Sequence, residues 1–173
     1  TTVVEISDDV QREQLSVGKV NYNYKNKKYN NDKNKNISAQ VLKFIKNSKQ
    51  TVFIAGSGFA NSPIVNEGIK ISKKLHCNFA LTWGGQRIQE KISSNFLGLM
   101  GQHNPGKAND FIKECDLVIS LGASLLQHQV GKNHDFFASK ANIIYVNNDI
   151  KECKRAKYQF GKRLKPVCLD SVH

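Results

Sequence analysis

Short runs that are apolar throughout, helical stretches between them and glycine turns at their ends predict an α/β chain: a doubly wound, Rossmann-like parallel sheet with an N-terminal linker. Strands buried on both faces carry apolar residues at successive positions instead of alternating ones, and "TVFIA", "NFALT", "LVISLG" and "NIIYVNND" all read this way. Parallel strands need a crossover of a dozen residues or so, and each run is separated from the next by enough chain to supply one.

The elements follow in order. Val3–Ile6 is a short apolar strand leading into "SDDVQREQL", and residues 1–15 read as the tail of something that precedes the main domain. Residues 16–36 are a Lys/Asn-rich linker: between Lys19 and Asn36 lie six lysines, one aspartate and almost nothing apolar. Such a segment buries too little surface to offset its conformational entropy. The main domain spans 37–173. It opens with "ISAQVLKFIKNS", where Ile37, Val41, Phe44 and Ile45 share a helical face and Ser38 is placed to cap it. "TVFIA" ends in Gly-Ser-Gly. Ser62-Pro63 supplies a cap and a first-turn proline for a helix whose inward stripe is expected at Ile64, Gly68, Ile71 and Leu75. "NFALT" ends at Trp83-Gly84-Gly85. Asn104-Pro105 opens a helix through Phe111 and Ile112, "LVISLG" follows, and a further helix is expected to end near Phe137. "NIIYVNND", a basic helix from Ile150 and a last strand, "PVCLD", complete the pattern.

Composition bounds the function. A chain of 173 residues with 39% apolar content fits one domain plus an appendage. No stretch approaches the roughly 18 apolar residues of a membrane span or has the layout of a signal peptide, and the chain begins with Thr; it reads as a piece of a longer cytoplasmic protein. Cys77, Cys115, Cys153 and Cys168 form no Cys-x-x-Cys pair, and the five histidines show no metal-ligand spacing, so free thiols and no metal site are expected. The net charge of +12 raises nucleic-acid binding. The charge is concentrated in the linker and in Lys151–Lys165, which read more simply as solvated chain and a solvated helix face, so a nucleic-acid partner is not expected.

Ligands of open parallel sheets bind beyond the carboxyl ends of the strands. The candidate cofactor-binding residues are therefore Gly56, Ser57, Gly58, Thr82, Trp83, Gly101, His103, Gly122, Ala123 and Asp149. Gly56-Ser57-Gly58 lets backbone approach a pyrophosphate or makes a tight turn, and the third glycine of the dinucleotide fingerprint is Asn61. Asp149 fits both a ribose acceptor and a helix N-cap. Trp83 fits ring stacking or rim packing. His103, between Gly101 and Pro105, has no partner visible in sequence that would make it a base. No Gly-x-Ser-x-Gly elbow, phosphate-loop lysine motif or carboxylate pair is present, so no catalytic residue is assigned.

"FLGLMGQHNPGKANDFIKECDLVISLGASL", followed by "VGKNHDFFASKANIIYVNNDIKE", resembles the central domain of thiamine-diphosphate-dependent enzymes, especially the acetolactate synthase group. The likeness runs through Leu97–His103, the pair Ala108-Asn109 and the strand end Gly122-Ala123. It departs at Ser124 and His128, where the family carries arginines, and at Asn147, where it carries the first of two aspartates. "TVVEISDDVQ" resembles the closing strand of the pyrimidine-binding domain that precedes the central one, and "KPVCLD" the strand that closes the central domain.

The resemblance implies a DHS-like fold of the NAD/FAD-binding type in a non-catalytic domain. The family's catalytic glutamate lies in the preceding domain and its Gly-Asp-Gly…Asn motif in the following one, and neither occurs here. Thiamine diphosphate and Mg2+ are implied for the full-length enzyme only, together with homodimer or homotetramer assembly. FAD is disfavoured, because two cationic donors for its pyrophosphate are replaced. The alternative is an independent oxidoreductase domain binding NAD(P) or FAD.

Overall fold

The computed structural model of the chain describes residues 4, 5, 7, 10, 31–104 and 106–168. Of the expected strand Val3–Ile6, Val4 and Glu5 are described and neither lies in a strand, whereas Val3, Ile6 and most of the linker lie outside the described residues. Six strands are described: β1 (Thr51–Ala55), β2 (Asn78–Leu81), β3 (Phe96–Leu99), β4 (Leu117–Leu121), β5 (Asn142–Asn147) and β6 (Leu164–Cys168). All pair in parallel, in the order β3-β2-β1-β4-β5-β6. The order reverses direction between β1 and β4, the switch point of a doubly wound sheet.

The period-2 geometry of a strand divides the apolar runs between two cores. Val52, Ile54, Val118, Ile143 and Tyr145 face one layer, with Ala108 and Ile112 of helix α4 (Lys107–Glu114) and Cys153, Ala156 and Phe160 of helix α6 (Ile150–Phe160). Phe53, Ala55, Phe79, Leu81 and Ile119 face the other. Helix α1 (Asn31–Asn47), helix α3 (Val65–Lys74) and a 3-10 helix (Trp83–Asn95) cover that side, and a single turn, α2 (Ser57–Ala60), precedes α3. Asp116 starts β4 by accepting hydrogen bonds from the Lys49 and Gln50 amides at 2.8 and 3.0 Å and from the Ser48 hydroxyl, which ties the turn before β1 to its neighbour.

Three expectations need correction, and two elements are new. Helix α1 begins at Asn31, inside the stretch read as linker, so Ser38 lies within the helix and does not cap it. Extending a helix already anchored by Val41, Phe44 and Ile45 fixes one residue per hydrogen bond and avoids the cost of nucleation. The inward face of α3 is Val65, Ile69 and Ser72, whereas Ile64 and Ile71 are exposed. Gly68 sets this rotation, because the Phe59 ring lies where its Cβ would be, at 2.7 Å. The helix expected to end near Phe137 is one turn, α5 (Gln127–Val130), followed by turns through 140. Finally, β3 and the 3-10 helix before it were not anticipated.

Candidate functional site

The loops that leave β1 and β4 meet at the switch point, and they meet without a gap. The Gly56 amide donates to Leu121 O at 3.0 Å and the Gly58 amide to Gly122 O at 3.1 Å. A Cβ on Gly56 would lie 2.3 Å from Gly122 O, and one on Gly122, whose φ is +55°, would lie 2.5 Å from Phe59 N. These glycines therefore let two backbones touch at the point where the sheet changes direction. Ser57 stands on the same turn, beside Gly84. Ala123 is buried against Gly56. Thr82 is buried too, and its amide donates to Ala55 O at 3.1 Å.

Open space lies to one side, among the loops that follow β2, β3 and β4. Trp83, Gly101, His103 and His128 line a cleft of about 180 Å³. Trp83 is 71% exposed, which is unusual for an indole with no partner ring among the described residues. Gly101, Gln102 and Gln129 separate this cleft from a larger cavity of about 460 Å³ whose walls include Lys113, Phe136 and Phe137. The structure thus groups three candidate residues, Trp83, Gly101 and His103, and adds His128. Gly56, Ser57, Gly58, Thr82, Gly122 and Ala123 stand apart from this group, where the β1, β2 and β4 ends meet.

Asn109 builds this region. Its carboxamide accepts from the Gly101 amide at 3.1 Å and donates to Gly101 O and Asn104 O, both at 2.9 Å. The side chain holds the turn as a backbone strand would. Gly101 has φ +123° and closes against His128 O, to which the Gln102 amide donates at 3.1 Å. The loops carrying His103 and His128 are therefore joined through backbone, an arrangement that no local sequence pattern contains. Arg163 fixes the far wall by donating to His134 O, Phe137 O and Ala138 O at 2.8–3.0 Å.

Ser124 is held by a cation from elsewhere. The Arg155 guanidinium on α6 donates to Ser124 O, and Gln159 Nε2 donates to Leu125 O at 3.2 Å. Leu125 is fully buried with φ +49°, a strained state for a branched side chain, so both brackets hold a loop that would otherwise relax. Arg155 also donates to Glu152, which raises its pKa further, and to Gln159. The guanidinium is thus largely saturated by protein. Asp149 caps α6, accepting from the Lys151 amide at 2.7 Å, and its own amide donates to Asn147 Oδ1 at 3.0 Å. Asn147 Nδ2 donates to the Tyr145 hydroxyl at 3.1 Å, and burial raises the pKa of that phenol.

All four cysteines are free thiols. Burial pushes Cys115 and Cys153 up to about 12, far from a nucleophile's range. Among the described residues no three His, Cys, Asp or Glu side chains converge as a metal site would need, and no helix is long and apolar enough to cross a membrane.

Residues 38–163 match the family described as "Thiamine pyrophosphate enzyme, central domain". The acetolactate synthase large subunit of Cyanidium caldarium is 32% identical over 113 residues, covering 64% of this chain and 19% of that protein. The isozyme 1 large subunit of Escherichia coli K12 is 30% identical over 111 residues, again 64% and 19%. The chain therefore spans about a fifth of the length of these curated relatives. A solved thiamine diphosphate-dependent 4-hydroxybenzoylformate decarboxylase from Rhodococcus jostii RHA1 shares the fold, with a TM-score of 0.58, 14% identity, and coverage of 91% of this chain and 27% of that one. The chain belongs to the thiamine pyrophosphate enzyme central-domain family.

Proposed function

We propose that this domain is the non-catalytic scaffold of a thiamine-diphosphate-dependent 2-keto acid decarboxylase or carboligase resembling acetolactate synthase. The match over residues 38–163 carries the reading. On this view residues 1–15 end a pyrimidine-binding domain, 16–36 link it to the central domain at 37–173, and the full-length protein is a homodimer or homotetramer. Thiamine diphosphate and Mg2+ supply the carbanion chemistry in the full-length enzyme. Among the described residues no three His, Cys, Asp or Glu side chains converge to hold the metal. This chain's own part is to hold its neighbours through a rigid sheet with a closed switch point.

The test is turnover of pyruvate with thiamine diphosphate and Mg2+ by the full-length protein. Acetolactate or acetaldehyde should form there, while residues 1–173 alone should form neither. A full-length protein that binds thiamine diphosphate but turns over no 2-keto acid would reject the activity.

The cleft beside Trp83 favours a second reading, in which the domain also carries a nucleotide. Trp83, Gly101 and His103 then belong to the ligand-binding set, with His128 added. The family resemblance puts Ser124 and His128 at positions of family arginines, and Arg155 is committed to Ser124 O, Glu152 and Gln159, so an anionic pyrophosphate finds little cationic help. FAD remains the disfavoured ligand. Trp83 is the one tryptophan of the chain, so titrating FAD, NAD(P) or ADP against its fluorescence reads the cleft directly. A ligand that raises Tm without altering Trp83 emission binds somewhere else.

A further inference from the structure

Helix α6 carries a surface that the packing of the described residues does not account for. Its inward face is Cys153, Ala156 and Phe160. At about 100° per residue, the opposite face is Lys151, Lys154, Arg155 and Tyr158, and Lys162 stands just past the helix end, after Gly161. Arg155 is occupied by Glu152, Gln159 and Ser124 O. Lys157, to one side, donates to Leu164 O at 2.7 Å. Lys151, Lys154 and Lys162 are exposed, and no hydrogen bond or ion pair among the described residues engages their side chains. The acid on this helix, Glu152, is neutralised by Arg155 at 3.0 Å, and Asp149 is turned into its N-cap. Between the free lysines stands Tyr158, 93% exposed. An aromatic ring presented almost wholly to water contributes nothing to packing.

We infer that Lys151, Lys154, Tyr158 and Lys162 form a binding surface for single-stranded nucleic acid. The helix advances about 1.5 Å per residue, so Lys151, Lys154 and Tyr158 are spread over roughly 10 Å along it, with Lys162 past its end, enough to follow neighbouring phosphates of one strand. Lysines engage phosphates as point charges, and a flat ring between them offers a stacking platform to an unpaired base. The ring selects a single strand over other polyanions, because the bases of a duplex are already stacked and an anionic lipid surface has no base to offer. The net charge of +12 adds long-range attraction for any polyanion, so the test separates this surface from that background.

The experiment uses the 173-residue chain, a fluorescein-labelled 20-nucleotide oligo(U), and anisotropy over a series of salt concentrations. The Lys151→Gln/Lys154→Gln/Lys162→Gln variant should bind at least tenfold more weakly. Its plot of log K against log salt should be shallower by about 2, since each phosphate of a single strand that is no longer neutralised takes about 0.7 from the slope. Tyr158→Ala should weaken binding about fivefold or more and leave the salt slope unchanged. Thermal melts of each variant should match the parent, since all four positions are exposed. The proposal is overturned if the parent does not bind. It is overturned equally if the triple variant binds as the parent does, with or without residues 19–36. It also fails if vesicles of 30% phosphatidylserine in phosphatidylcholine compete as well as unlabelled oligo(U) and Tyr158→Ala changes nothing, which would mark a general cationic face.

Discussion

Substituting Gly122 by alanine separates a glycine kept for backbone conformation from one kept for the close approach of two backbones. Gly122 has φ +55°, and a Cβ there would meet Phe59 N at 2.5 Å and the Gly58 backbone at 2.7–2.8 Å. Gly161, just after α6, has φ +57°, and nothing lies within 4 Å of its missing Cβ. Placing alanine in the left-handed region costs about 1–2 kcal/mol at either site, and both variants regain the same fraction of a kcal/mol from a stiffer unfolded chain. Forcing a methyl against backbone adds about 1–3 kcal/mol at Gly122 alone. Gly122→Ala should therefore lose roughly 2–5 kcal/mol and Gly161→Ala roughly 1–2. For a chain of this size each kcal/mol moves Tm by about 2–4 °C. Circular dichroism melts and urea titrations of the two variants decide the matter. Equal losses would refute the reading that the β1 and β4 loops close on each other, and would leave the glycines available to a ligand.

Three further predictions rest on single groups. Asn109→Ala removes three hydrogen bonds from the Gly101–Asn104 turn and leaves the Gly101 amide unpaired, so it should lose about 2–3 kcal/mol in a urea titration; a loss under about 0.5 kcal/mol would mean the turn holds itself. Burial raises the Asp116 carboxyl, but the hydrogen bonds from Ser48, Lys49 and Gln50 outweigh it and lower the pKa overall. A lowered folded pKa gives stability that is present above the unfolded value of about 3.9 and lost as pH falls through the folded value; Asp116→Asn should flatten the acid limb of the stability profile, and an unchanged limb would contradict the assignment. In the native chain Cys168, at the open sheet edge, should react with Ellman's reagent well before the buried Cys77, Cys115 and Cys153, and four thiols of equal rate would show that the core opens as a whole.

The strands β1, β2, β4, β5 and β6 were legible because buried parallel strands leave uninterrupted apolar runs, and Asp149 was legible as a cap because a short acid before a helix has a local use. β3 was hidden because Gly98 interrupts "FLGL", with φ +123° and a register shift against β2. The 3-10 helix left one usable trace, Ile88 and Ile92, both buried and four apart. The inward face of α3 was misread because periodicity gives a stripe but not its direction, which Phe59 decides from another element. The same division holds at the site. Strand-end positions follow from topology, so Trp83, Gly101 and His103 could be named, while His128 joins them through a hydrogen bond 26 residues along the chain, Gln102 N to His128 O. The glycines after β1 and β4 were visible, but whether they face a ligand or each other is a long-range fact.

The measurement that tests the scaffold reading most directly is the sequence of the full-length transcript around this domain. A pyrimidine-binding domain with its glutamate should be encoded upstream and a Gly-Asp-Gly…Asn segment downstream. A reading frame that contains this domain and neither of those neighbours would contradict the account.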